Sequence, residues 1–343
     1  MEIILQIIFL LAGFVCLIKG ADYFVDGSCA VAAKLKIPTV VVGLTIVAVG
    51  TSLPELAVST FASAKGANAL ALSNVIGSNI FNLLMVLGIS ALFINVNVKK
   101  SMLRREFPFL IIITLLVLFF VGDLMWFEGL LGKINILSFK SGEQTIGTVS
   151  RLDGILLLLM FVGFICWTVN YALKERRKAM ENENSDDVDT AFSNGRCALY
   201  IIGGAVTIII GGELVVDCAK SLALAAGMGE TLVGLTIVAL GTSLPELVTS
   251  AVAAKKGEAD IAVGNVVGSN IANILLVLGM SAAISSVSIS AMSFVDTIVS
   301  LVVTLIVFAA SGTKKTIKRT EGVFFILIYM GYLAYIICRQ IYG

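Results

Sequence analysis

One segment of this sequence occurs twice. Residues 43–88 read GLTIVAVGTSLPELAVSTFASAKGANALALSNVIGSNIFNLLMVLG, and residues 234–279 read GLTIVALGTSLPELVTSAVAAKKGEADIAVGNVVGSNIANILLVLG. The offset is 191 throughout, without a gap, and 29 of the 46 positions are identical. Apolar composition alone yields scattered Leu and Val matches. It does not yield GTSLPEL twice, each time followed at the same distance by GSNI-x-N. Self-similarity at a fixed offset marks a duplicated structural unit. The same offset pairs Asp26 with Asp217 and Asp22 with Glu213, so the duplication reaches well upstream of the motif.

The duplicated unit sits in a chain that is 58% hydrophobic and only 14% charged, with a mean hydropathy of +1.01. A soluble domain is about a quarter charged. The apolar residues come in runs near the length of about 20 that a membrane span needs. We expect ten helices, starting near Ile3, Val40, Leu70, Phe107, Asp153, Leu199, Leu232, Ile261, Ser293 and Gly322. The first run lacks a basic leader and a small-residue cleavage site, so it reads as a span rather than a signal peptide. With ten spans, one alternating set of loops carries 17 Lys and Arg and the other 5. That bias places the richer set, and the linker between the halves, in the cytoplasm and both termini outside.

Five helices per half is an odd number, so the second copy enters the membrane the other way up. The expected fold is therefore an all-α integral membrane protein: ten transmembrane helices in two inverted five-helix repeats. Secondary transporters are commonly built this way, with substrate bound at the repeat interface near the midplane. The first half spans 1–173 and contains the motif 43–88; the second spans 199–343 and contains the motif 234–279. Between them, 174–198 is a polar cytoplasmic linker, reading KERRKAMENENSDDVDTAFSNG from Lys174 onward. A second polar stretch, Phe127–Ser150, has no counterpart of that length in the other half and no functional reading.

Composition also excludes chemistry. A net charge of +1 gives no basis for a nucleic-acid partner. With no histidine, imidazole triads, His-metal sites and imidazole proton relays are absent. Six scattered cysteines without CxxC spacing read as small core residues.

Within the repeats, Glu55 and Glu246 fall deep inside apolar segments. A carboxylate there is costly and marks a functional site by default. No Lys or Arg lies in either segment's interior to pair with it. Pro54 and Pro245 directly precede the two acids and, inside a helix, would free the carbonyls of Gly50 and Gly241. Helical spacing puts Thr51 and Ser52 on the face of Glu55. The following helix carries Asn74, Ser78 and Asn82 at four-residue intervals, repeated as Asn265, Ser269 and Asn273. Carboxylate, hydroxyl, amide and carbonyl oxygens together suit hard cations such as Ca2+ or Na+. Two carboxylates would neutralise one Ca2+ or about two Na+, and competition for one site would make exchange obligatory.

GTSLPEL followed by GSNI-x-N, twice, closely resembles the α-repeats of the sodium/calcium exchanger family, in the calcium/cation antiporter superfamily. The short central linker resembles the prokaryotic type, which implies a cell (inner) membrane location. The resemblance implies Ca2+ for Na+ exchange by alternating access, with helices 1 and 6 sliding against the other eight. It implies ion ligands at Thr51, Ser52, Glu55, Ser78 and Asn82, and at Thr242, Ser243, Glu246, Ser269 and Asn273, with the backbone carbonyls of Ala48 and Ala239. It implies a transporter rather than an enzyme, inorganic cations and lipid as the only partners, and no cofactor. Potassium-dependent exchangers, and some prokaryotic members, carry aspartate where this chain has Asn273, which argues against potassium co-transport. The main alternative is a Ca2+/H+ antiporter, since buried glutamates also carry protons. A passive channel and an intramembrane hydrolase using the two glutamates are the further alternatives.

Overall fold

Long apolar runs become long helices. The structure is a computed structural model that describes residues 2–66, 69–121, 145–182, 192–228 and 239–342. The expected helix start at Leu232, the first residues of the second motif, most of the 127–150 stretch and the middle of the linker lie outside the described residues.

The helices are α1 (Glu2–Leu35), α2 (Thr39–Thr51), α3 (Leu53–Ala64), α4 (Leu70–Phe93), α5 (Lys100–Arg104), α6 (Glu106–Val121), α7 (Arg151–Asn182), α8 (Asn194–Ala225), α9 (Ala239–Gly241), α10 (Leu244–Lys255), α11 (Ala259–Ile284), α12 (Ala291–Lys314) and α13 (Arg319–Tyr342). Among the described residues, seven helices are long and apolar enough to cross a membrane, and the bent pair α2/α3 adds an eighth. The 16-residue α6 is apolar but shorter.

The expectation of an all-α fold needs a correction. Val96–Asn97 pairs antiparallel with Thr316–Ile317, and Thr145–Val149 pairs with Val287–Ser290. These segments lie between helices, where backbone N–H and C=O groups still need partners. Their β-branched residues suit an extended pairing.

Burial sorts the helices into a centre and a periphery. The most apolar window of α11 is 94% buried and that of α4 is 78% buried, whereas those of α1, α7, α8 and α13 are 17–28% buried. The outer helices turn side chains such as Ile4, Leu159 and Leu327 outward. An apolar surface this extensive is stable against hydrocarbon, and helices satisfy their own backbone there.

α1 and α8 cross closely and antiparallel. A Cβ on Gly13 would meet the Gly211 carbonyl at 3.0 Å, and one on Gly20 would meet the Gly204 carbonyl at 3.0 Å and the Ile208 nitrogen at 2.9 Å. Only residues without side chains allow backbones this near, the small-residue packing typical of membrane helices. α1 also lies along α10.

The motif segment is not one kinked helix, contrary to the expectation from Pro54. α2 stops at Thr51, Ser52 leaves helical geometry at φ −84°, ψ 6°, and α3 starts at Leu53 with a bend of 46°. Pro54 and Pro245 therefore stand in the first turn of α3 and α10, where a missing N–H costs nothing. Glu55 and Glu246 become first-turn residues beside the N–H-rich ends of their helices. Wide π turns at Gly43–Val47, Asn82–Val86 and Asn273–Leu278 interrupt α2, α4 and α11, a feature frequent at functional sites.

Candidate ion-binding site

The sequence Ser52-Leu-Pro-Glu55 has the form of a capping box, in which the Ser and Glu side chains would satisfy their own helix end. Neither SLPE copy does so: Ser52 and Ser243 make no side-chain cap bond. The side chains cross to the other repeat instead. Ser52 Oγ donates to Glu246 Oε1 at 3.0 Å, and Ser243 Oγ lies 3.1 Å from Glu55 Oε1. The helix-face expectation, with Thr51 and Ser52 serving Glu55, is thus corrected. The break at Ser52 turns both hydroxyls towards the second repeat.

The remaining expected residues gather around this crossover. Ser78 Oγ donates to Glu55 Oε1 at 3.3 Å and lies 2.9 Å from Ser243 Oγ. Thr51 Oγ1 donates to Asn265 Oδ1 at 3.1 Å and lies 3.5 Å from Ser269 Oγ. The Ala48 carbonyl lies 3.4 Å from the hydroxyls of both Thr51 and Ser269. Thr242 Oγ1 reaches Asn74 Oδ1 at 3.5 Å. Asn273 Nδ2 donates to Ser78 Oγ at 3.1 Å and Asn79 Oδ1 at 3.2 Å. The Ala48 and Ala239 regions differ in one respect: the Ser52 N–H bonds the Ala48 carbonyl, whereas the Ser243 N–H bonds Leu240.

Glu55, Glu246, Asn82 and Asn273 are all 0% exposed. Among the described residues, one oxygen of each carboxylate (Oε2), both side-chain atoms of Asn82 and the Oδ1 of Asn273 have no hydrogen-bond partner. Among the described residues, no Lys or Arg pairs with either glutamate. When ionised, two buried carboxylates whose side-chain partners are hydroxyl groups leave negative charge uncompensated. That arrangement is stable only when something positive shares it.

Asn79 and Asn270 were missed by sequence reasoning. Asn79 Nδ2 donates to the Asn270 carbonyl at 3.3 Å, and Asn270 Nδ2 donates to the Asn79 carbonyl at 3.1 Å. This reciprocal clasp ties α4 to α11, and Asn79 Oδ1 also holds the amide of Asn273. Both stand in the repeated GSNI but off the four-residue stripe, so face periodicity passed over them. Their exact repetition at the 191 offset was the available signal.

Apolar helices around a buried, oxygen-lined core with two unpaired carboxylates define a membrane cation transporter. Comparison with known proteins names the family. A family model described as sodium/calcium exchanger protein matches residues 5–170 and 197–338. The chain belongs to the sodium/calcium exchanger family. It is 35% identical to the putative antiporter CaxA of Alkalimonas amylolytica, over 95% of this chain and 96% of that one. It is also 35% identical to the sodium/calcium exchanger MaX1 of Methanosarcina acetivorans, over 96% and 98%. The inner membrane protein YrbG of Escherichia coli is 31% identical over 92% and 90%. Solved structures of the sodium-calcium exchanger NCX_Mj superpose with a TM-score of 0.77 at 29% identity, covering 97% of this chain and 99% of that one. The protein is an integral membrane cation antiporter of the calcium-exchanging class.

Proposed function

We propose that this protein exchanges Ca2+ for Na+ by alternating access, with the ions bound near the membrane midplane between two inverted five-helix repeats. The observation that carries the reading is the crossed Ser52–Glu246 and Ser243–Glu55 pairing around two carboxylates with no basic partner. Each half supplies one acid and the hydroxyl that orients the other half's acid. The pocket therefore belongs to the repeat interface rather than to either repeat.

The ligands are the side-chain oxygens of Thr51, Ser52, Glu55, Ser78 and Asn82 and of Thr242, Ser243, Glu246, Ser269 and Asn273, with the carbonyls of Ala48 and Ala239. Two carboxylates balance one Ca2+ or about two Na+, so the ions compete for the same negative charge. An empty site resists reorientation because it would carry bare charge through an apolar interior. The antiparallel crossing of α1 and α8 supports the inverted arrangement. The names of MaX1 and NCX_Mj, and the Na+, Ca2+ and Sr2+ with which NCX_Mj structures were soaked, support the choice of ions. The ten spans, the division at 174–198 and termini outside belong to the same reading.

The test is radiocalcium uptake by proteoliposomes loaded with Na+ and diluted into Na+-free buffer, against K+-loaded vesicles. Uptake that requires internal Na+ and is absent in Glu246→Gln supports the proposal. Uptake driven by a pH gradient and indifferent to Na+ assigns the alternative, Ca2+/H+ exchange. Equal uptake with either internal cation indicates a channel.

A further inference from the structure

Six charged residues away from the ion site are duplicated at the 191 offset. Asp22 and Asp26 on α1 correspond to Glu213 and Asp217 on α8, and Lys65 corresponds to Lys256. In each half the acids are four residues apart, on one helical face. Each lysine caps the C-terminal end of the helix that carries the site glutamate: Lys65 follows α3 and Lys256 follows α10.

The two sets are in opposite conditions. Lys256 Nζ lies 2.7 Å from Asp26 Oδ1 and 3.0 Å from Asp22 Oδ1, and donates to the Asp22 carbonyl at 3.0 Å. Lys65 instead lies over the ring of Phe61 on its own helix, 4.3 Å from the centroid. Glu213 and Asp217 are exposed and pair with no basic residue among the described residues. Packing follows the same division. α1 lies along α10, and α8 has no comparable contact with α3 among the described residues.

We infer that Lys256 and Lys65 are functional residues of the exchange cycle, each holding the acid pair of the α1/α8 unit in one access state and releasing it in the other. This rests on the alternating-access reading above. The glycine seam makes α1 and α8 one body, because their backbones touch with no side chains between them. The halves carry the same charges, so exchanging their conformations produces the second state. There Lys65 meets Glu213 and Asp217, and Lys256 is released. In this reading the Lys256 lock, which is made here, belongs to the state closed on the Lys256 face, and the Lys65 lock to the state closed on the Lys65 face. The side chains of Lys256, Asp22 and Asp26 are 28%, 36% and 45% exposed, so each lock is a weak bias that leaves the cycle reversible.

The test uses the full-length protein in membrane vesicles of both orientations, measuring half-saturating Ca2+ at each face. Removing one lock changes the fraction of protein open to each side, and apparent affinity follows that fraction. In Lys256→Met, half-saturating Ca2+ falls about two- to fivefold at the Lys256 face and rises at the opposite face. Lys65→Met gives the opposite signs. The charge-swapped variant carrying Asp26→Lys with Lys256→Glu returns both values towards wild type. Shifts of the same sign in both lysine variants, no shift, or a swap no better than Lys256→Glu alone would overturn the inference while exchange itself persists. Absence of Na+/Ca2+ exchange in the wild type would instead overturn the reading on which it rests.

Discussion

Glu246→Gln separates a functional carboxylate from a structural one by the sign of two effects. The substitution keeps the shape and the acceptor oxygen that Ser52 Oγ reaches at 3.0 Å. It removes one of two charges in a site with no basic partner. Two unit charges about 4 Å apart at an effective dielectric of about 20 interact by about 4 kcal/mol, so a divalent ion loses about 8 kcal/mol. If relaxation recovers half of this, about 4 kcal/mol remains, or nearly three orders of magnitude in Ca2+ affinity. Folding responds in the opposite direction. Taking an unpaired carboxylate out of water costs several kcal/mol, so the ion-free variant is expected to be at least as stable as wild type. The assay is thermal unfolding of purified protein in chelator and in Ca2+. Saturating ligand at about 1,000 times its dissociation constant adds about 4 kcal/mol to wild type. The variant should show no Ca2+-induced rise and no loss in chelator. A wild-type Ca2+ response, or collapse in chelator, would refute the reasoning.

Other substitutions test other parts of the structure. Asn273→Asp replaces the amide that donates to Ser78 and Asn79 and adds a third carboxylate; flux should change its Na+, K+ or pH dependence, and unchanged dependence would mean this residue does not face the ions. Gly20→Val pushes a side chain into the α8 backbone and should cost about 1–3 kcal/mol or more in thermal stability. Gly163→Val is the control, because its Cβ meets nothing within 4 Å, and equal losses in the two would refute the seam. Arg339 holds Asp296 by two bonds of 3.0 and 2.9 Å, with each side chain 14% exposed. Arg339→Ala should cost about 3–5 kcal/mol by leaving that acid unpaired, and Asp296→Ala in the same chain should recover part of it; a negligible loss in the single variant would show the pair to be dispensable.

Much of the candidate site is legible in the sequence. Glu55 and Glu246 stood out because an acid in an apolar run without a basic neighbour has few explanations. Their partners on α4 and α11 stood out because helical periodicity survives folding. Which hydroxyl serves which acid was not legible. Face arithmetic assumes an unbroken helix, and the chain breaks at Ser52. The cross-repeat bonds join residues 188 and 194 positions apart, beyond any local rule. Asn79 and Asn270 were hidden for a related reason, since each bonds the backbone of the opposite repeat rather than its own face.

The sequence by itself determined the membrane character, the duplication and the residue types, acids, hydroxyls and amides, that the core gathers. These follow from apolar run length, a fixed offset and residue type, which need no partner to be read. Only the tertiary structure decided that the repeats exchange their serines, that glycines weld α1 to α8, and that Lys256 pairs with Asp22 and Asp26 while Lys65 lies over Phe61. The two halves carry nearly the same motif, so sequence alone predicts equivalent environments for both. Packing them into one body breaks that equivalence, because α1 rests on α10 while α8 has no comparable contact with α3 among the described residues.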